Sequence, residues 1–339
     1  MRIRRLFSWL IVCSVILVSG CVQAGETIQP KTDMPPASED SDTPTPQSGC
    51  RCGVLPPPAP TVDSAYSGLA SGVLTFARAD VLPEGIILQA GEFRITAGDL
   101  DAEIAKSSAE IRPQLMKNAF FLLEQMSTEK LLLQDARAAA LVAQKDLKGM
   151  SDKEIILQHL KPIQEKVAVT DSEVKDFYEK NKDMCGDATL EQVKNDLAKY
   201  VLGQKQQDAI NEHIRAVGQR LDVIVDKPWL DQQYVMACDN PADKARSSGL
   251  PSLIDFGSTG CRPCDMMAPI LATLKKKYEN KLNVLFIHVG EEKILGARYG
   301  IQSIPVQIFF DKQGKEVFRH TGFFPQAEIE KKLSEMEVK

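Results

Sequence analysis

Cys261-Arg262-Pro263-Cys264 follows the apolar run Leu253-Ile254-Asp255-Phe256 and places two thiols one helical turn apart, where a buried strand hands over to a helix. Thiols in that setting do redox chemistry. The first sits over the unpaired N–H groups and positive dipole end of the helix, which favour a thiolate, and the second lies close enough to resolve a mixed disulfide. Cys261 is therefore the expected nucleophile and Cys264 the resolving thiol. A lone C-x-x-C also fits half a zinc site or a structural disulfide, so its neighbours must decide. Asp255, an acid inside an apolar strand, is the candidate proton acceptor for Cys264.

The elements that would position this pair follow in order. Met266 to Leu271 continues the helix with Pro269 inside it, Leu282 to Val289 reads as a second buried strand, and Glu291 to Tyr299 as a helix. Gly300 to Phe310 reads as a turn into a third strand through Ile304-Pro305, Gln313-Gly314 as a hairpin turn, and the chain from about Pro325 as a terminal helix. This run, residues 250–339, resembles a thioredoxin domain. The resemblance implies an α/β fold, a cis proline at Pro305 lying against the dithiol, and an Ile304 backbone that pairs with an extended client peptide. Gly322 matches the family's late glycine beside that groove, so Ile304, Pro305 and Gly322 are the implied substrate-binding residues.

Two positions depart from the family pattern: Gly260 stands where a tryptophan usually precedes the first cysteine, and Phe286 where a lysine usually lies near the buried acid. The implied activity is thiol–disulfide exchange by the protein's own thiols, with no cofactor and no metal. Pro263 before the second cysteine, the lack of a histidine between the two, and Ile304 before Pro305 favour a reductant over an oxidant. Arg262 adds positive charge beside the thiolate.

The N-terminus speaks to compartment. Residues 1–20 combine the basic start Met1-Arg2-Ile3-Arg4-Arg5 with an apolar stretch too short for an ordinary membrane span, which reads as a signal peptide. Leu17-Val18-Ser19-Gly20-Cys21 resembles the bacterial lipobox, which implies lipidation of Cys21; the alternative is an uncleaved anchor. Either way the expected location is extracytoplasmic, on the periplasmic side, tethered to the inner or outer membrane.

Residues 21–80 are expected to be the lipidated cysteine and a disordered tether, its Pro-, Ser-, Thr- and Asp-rich stretch having almost no large apolar side chains. Cys50 and Cys52 interrupt it, as a candidate auxiliary redox pair, soft-metal pair or inert disulfide. Of the eight cysteines, Cys13 lies in the signal peptide and Cys21 in the lipobox; Cys185 and Cys238 are the candidates for a structural bridge.

Residues 81–228 read as mostly helical. Ile86 to Ile95 reads as a short hairpin; Thr96-Ala97-Gly98-Asp99 and Thr170-Asp171-Ser172-Glu173 read as capping boxes. Leu115, Ala119, Leu122, Leu123, Met126 and Leu133, then Leu190, Val193, Leu197, Val201, Ile210, Ile214, Val217 and Leu221, keep helical spacing. The order of these pieces resembles the all-α chaperone module of SurA-type, parvulin-containing periplasmic foldases, carried by Gly91 to Thr96, Leu122 to Ala136, Val169 to Val174 with Tyr178, and Gln204 to Ile210. That family inserts a prolyl isomerase domain where only Lys182 to Ala188 stand here, so no isomerase activity is expected. What the resemblance leaves is binding of unfolded polypeptide; the plainer reading is a spacer. Residues 229–249 are expected to link this module to the C-terminal domain.

His159 and His213 fall on charged helical stretches, and His288 and His320 at strand ends, with no spacing that argues for zinc. A net charge of −5 without a basic–aromatic run gives nucleic-acid binding no support. The whole reads as a multidomain, lipid-anchored extracytoplasmic thiol–disulfide oxidoreductase with two kinds of partner. Disulfide-containing or unfolded exported proteins would be its clients, and a membrane redox protein would supply or remove electrons. The alternative is a non-catalytic chaperone or binding lipoprotein that uses the C-terminal domain to dock peptides.

Overall fold

Short-range chemistry places several helix starts. In the computed structural model, which describes residues 60–185 and 188–338, Thr96 with Asp99, Ser151 with Glu154, and Thr170 with Glu173 form reciprocal capping boxes. Each satisfies N–H groups that the first helical turn leaves unpaired. Residues 1–20, Cys21, the tether through residue 59, and Cys50 with Cys52 lie outside the described residues.

The N-terminal part runs α1 (Val62–Ala65), β1 (Arg78–Asp80), β2 (Ile86–Ala90), β3 (Phe93–Thr96), α2 (Ala97–Lys106), α3 (Arg112–Lys117), α4 (Ala119–Val142), α5 (Asp152–Glu165), α6 (Asp171–Lys180), α7 (Lys182–Cys185), α8 (Leu190–Arg220), β4 (Val223–Asp226) and α9 (Lys227–Cys238). It is mostly helical, and it adds to the all-α expectation a sheet of order β1-β4-β2-β3. β2 and β3 form the expected hairpin; β4 returns from the end of α8 to pair antiparallel with β2 and parallel with β1.

The expected tether boundary at residue 80 is corrected. Val62, Val73 and Leu74 are fully buried in the same core as Phe120, Leu123, Leu131 and Val217, so the chain from residue 61 belongs to the fold. Glu124 of α4 holds this segment by accepting backbone N–H bonds from Ser71 at 3.1 Å, Gly72 at 2.8 Å and Leu74 at 3.2 Å. Burial still pushes the Glu124 carboxyl above its ordinary range, the N–H bonds opposing the rise. The composition poor in large apolar residues ends near residue 65; beyond it Tyr66, Leu69, Val73 and Leu74 bring ordinary apolar bulk to the core.

The C-terminal part runs α10 (Pro241–Arg246), β5 (Ser252–Gly257), α11 (Arg262–Lys277), β6 (Asn283–His288), α12 (Lys293–Arg298), β7 (Val306–Phe310), β8 (Glu316–Thr321) and α13 (Gln326–Glu335). Its mixed sheet has the order β6-β5-β7-β8, with β5 parallel to β6 and antiparallel to β7. Every residue of β5 is buried because the sheet is covered on both faces. Leu253 packs with Met267, Leu271, Leu274, Ile329 and Leu333 on the α11–α13 side. Ile254 and Phe256 pack with Leu295, Tyr299 and Phe310 on the other.

The expected linker, 229–249, is also corrected: it is α9 and α10, whose Leu230, Ala237 and Ala242 are buried. Asp243 of α10 is the junction. Its Oδ2 meets Arg298 Nη1 at 3.1 Å, and its Oδ1 accepts the Tyr299 hydroxyl at 2.8 Å. The same Arg298 nitrogen donates to Asn118 Oδ1 at 3.1 Å and to the Ala237 carbonyl at 3.0 Å, fastening the helical part to the C-terminal sheet.

Candidate active site

Gly257 ends β5, Gly260 turns the chain with a φ of 77°, and Cys261 caps the N-terminus of α11, with Pro263 in its first turn. Proline tolerates that position because its missing N–H would lack a helical partner anyway. Cys261 and Cys264 are joined as a disulfide with their Cα atoms 5.2 Å apart. Cys261 is partly exposed and Cys264 is buried, so only the first sulfur is open to the surface while the second is covered by the fold. The dithiol therefore has the asymmetry that attack and resolution require.

Ile304 and Pro305 lie against it. The Ile304–Pro305 bond is cis, and the Ile304 carbonyl oxygen is 4.0 Å from Cys261 Sγ. Gly322 is brought into the same corner by donating its N–H to the Pro305 carbonyl at 2.8 Å. Tyr200 of α8 reaches this loop from the helical part, its hydroxyl 3.4 Å from Ser303 Oγ. Ile304 thus lies beside Cys261, Pro305 follows it in the chain, and Gly322 is bonded to Pro305.

Asp255 is fully buried in β5. Gln307, its antiparallel neighbour on β7, donates Nε2 to Asp255 Oδ1 at 2.7 Å, while Oδ2 has no partner among the described residues. Burial raises the carboxyl to about 6, the Gln307 bond opposing the rise. On the other flank its parallel neighbour is Phe286, so no cation stands in that register position. Gly257, two residues on and therefore on the same face of the strand as Asp255, is in contact with Cys264: a Cβ built there would lie 3.4 Å from Cys264 Sγ and 2.8 Å from a ring carbon of Phe286.

Two neighbours escaped the sequence reading. Gln307 is a polar residue inside the apolar strand Val306–Phe310, and that interruption was its signal. His288 accepts the Thr259 N–H at 3.2 Å and so braces the turn before Cys261; nothing in its spacing announced this.

The expected bridge between Cys185 and Cys238 is not formed; both cysteines are unpaired. Cys185 packs with Val174, Tyr178 and Leu197 between α6 and α8, whereas Cys238 ends α9 close to the Asp243 and Arg298 junction. Burial raises both thiols above the ordinary cysteine range, the opposite of what a reactive thiolate needs. Cys21, Cys50 and Cys52 lie outside the described residues.

Residues 239–337 match the family model of a thioredoxin-like domain. The chain is 38% identical over 95 residues to thioredoxin of Staphylococcus aureus (strain Mu50 / ATCC 700699), an alignment spanning 28% of this chain and 89% of that protein. Among solved structures, chloroplastic thioredoxin z is 28% identical over 28% of this chain and 86% of its own, with a TM-score of 0.27. Thioredoxin NaTrxh from Nicotiana alata is 30% identical over 28% and 80%, with a TM-score of 0.26. Sequence match and site geometry agree on thiol–disulfide chemistry at Cys261 and Cys264, and through its C-terminal domain the chain belongs to the thioredoxin family.

Proposed function

We propose that this protein is a lipid-anchored, extracytoplasmic thiol–disulfide oxidoreductase that reduces disulfides in exported client proteins, with its helical part holding the client. One observation carries the chemistry: a partly exposed Cys261 and a buried Cys264 share the N-terminus of α11, with Ile304 and Pro305 alongside. In the reduced enzyme the Cys261 thiolate attacks one client sulfur, forming a mixed disulfide and expelling the other client sulfur as a thiolate. Cys264 gives its proton to Asp255 and attacks Cys261 Sγ; the Cys261–Cys264 disulfide forms and the second client thiolate leaves. The client gains two electrons and the enzyme dithiol loses two.

Asp255 suits the proton step because its raised carboxyl, at about 6, lies nearer a thiol than an ordinary aspartate does. Restoring the dithiol then requires electrons from a membrane protein that carries them outward. The client-holding role is supported by the approach of Tyr200 to Ser303, which sets α8 at the edge of the loop that would pair with a client peptide.

The test is insulin reduction by the purified protein with dithiothreitol as donor. Wild type should precipitate insulin B chain well above the dithiothreitol background, and Cys261→Ser should fall to background. Equal turnover by the two would refute the reading.

A further inference from the structure

His159 of α5, His213 of α8 and Asp135 of α4 come together although they are far apart in sequence. His159 Nε2 lies 3.0 Å from Asp135 Oδ2 and 3.2 Å from His213 Nε2, and His213 Nε2 lies 3.4 Å from the same Asp135 oxygen. Three polar atoms thus form a nearly equilateral triangle. Hydrogen bonds alone do not fill its edges: each ring nitrogen has either one proton or one in-plane lone pair. If His159 Nε2–H donates to Asp135, it has no lone pair left for His213, and a proton on His213 Nε2 as well would set two N–H groups face to face.

A single cation at the centre satisfies all three edges. Zinc held tetrahedrally at about 2.0–2.1 Å from nitrogen and oxygen ligands has ligand–ligand edges of roughly 3.3 Å, the size of the triangle observed. The remaining carboxylate oxygen, Asp135 Oδ1, accepts from Arg220 Nη2 at 2.7 Å, which fixes the carboxylate's orientation and leaves Oδ2 as a single donor atom. The three side chains are about one-fifth exposed, so an ion can enter and a fourth position stays open to water.

We propose that Asp135, His159 and His213 form a binding site for a zinc-class divalent ion that clasps α4, α5 and α8. The donor set of two imidazoles and one carboxylate suits zinc and its neighbours better than calcium or magnesium, which prefer oxygen. Its place is structural: α5 meets α4 through Leu160 in the main core and through the small cluster of Leu133, Ala136 and Ile155, and an ion bound to the folded state alone adds to that packing by mass action.

The full chain, stripped with chelator and with Cys261–Cys264 left oxidised, should be titrated with zinc and with cobalt(II), in a background where Cys13, Cys21, Cys50, Cys52, Cys185 and Cys238 are serine so that no free thiol competes. The expected result is one bound ion, a four-coordinate cobalt spectrum without the sulfur charge-transfer band, a metal-dependent rise in Tm, and zinc-induced shifts confined to two histidine ring signals. His213→Ala should weaken binding by about 100-fold or more, and Asp135→Asn, which keeps the shape and an acceptor for Arg220, by about 10-fold or more. Unchanged affinity in Asp135→Asn, or zinc that leaves every histidine ring signal of the starting protein in place, would overturn the proposal even if His213→Ala fails to fold.

Discussion

Gln307 donates to one oxygen of Asp255 at 2.7 Å and leaves the other, in a fully buried position, without a partner among the described residues. One hydrogen bond does not offset the loss of water around a charge, so the carboxyl rises from 3.8 to about 6. The sign of the stability effect follows from that direction. Below pH 3.8 the group is neutral in both folded and unfolded chains; as the pH climbs through 6 the folded state must bury a charge, and stability is lost. Asp255→Asn removes the charge and keeps the Gln307 partner. It should unfold at the same urea concentration as wild type at pH 3 and be more stable at pH 8 by roughly 2–3 kcal/mol. A loss of stability at pH 8 would contradict the buried-charge account.

The unequal burial of the two sulfurs predicts the behaviour of a trapping variant. Cys264 is buried, so the proposed exchange assigns it release of the client, not capture. Cys264→Ala should accumulate client adducts on Cys261, visible as dithiothreitol-sensitive bands on non-reducing gels. Adding Cys261→Ser to that variant should abolish them. Adducts that survive the double substitution would place the attacking thiol elsewhere.

The dithiol, the Ile304–Pro305 turn and the strand–helix alternation around them were legible because each is written within a few neighbouring residues. Capping boxes such as Thr96 with Asp99 were legible for the same reason. What escaped was contact across the fold. His159 and His213 stand on different helices, β1 is three residues long and acquires meaning only when β4 returns beside it, and Cys185 and Cys238 pack against different neighbours, which no spacing records. Residues 61–80 escaped for another reason: they are anchored by main-chain N–H groups on Glu124, an interaction that side-chain pattern does not carry.

Arg298 is a buried cation whose Nη1 is shared among Asp243, Asn118 and the Ala237 carbonyl. Removing Arg298 leaves the buried Asn118 and Ala237 acceptors without this donor and Asp243 with the longer Arg246 contact, at 3.3 Å, as its cation. Arg298→Ala should therefore destabilise the protein by about 3–5 kcal/mol, whereas Arg298→Met with Asp243→Asn should recover part of that loss. Because the set spans both parts of the chain, unfolding followed by Trp229 fluorescence and by far-ultraviolet circular dichroism of the whole chain should remain coincident in wild type and separate in Arg298→Ala. A loss below about 1 kcal/mol would mean the charges are solvated in solution.

Two glycines of α8 offer a test of how the 61–80 segment packs. Replacing glycine by alanine in a helix ordinarily gains about 0.5–1 kcal/mol, because alanine gives up less backbone freedom on folding. Gly203 is exposed, with nothing within 4 Å of an added Cβ, so Gly203→Ala should raise stability by that amount. Gly218 is buried, and its added Cβ would run into the Val73 carbonyl, with the carbonyl carbon 2.8 Å away. The obstacle is backbone, which cannot swing aside as a flexible side chain would. Overpacking of this kind costs about 1–3 kcal/mol, enough to reverse the propensity gain. Gly218→Ala should therefore lower the urea midpoint while Gly203→Ala raises it, in the same helix and with the same chemistry. If both substitutions raised the midpoint, Val73 would not lie on α8, and the packing of residues 61–80 on the helical part would be refuted.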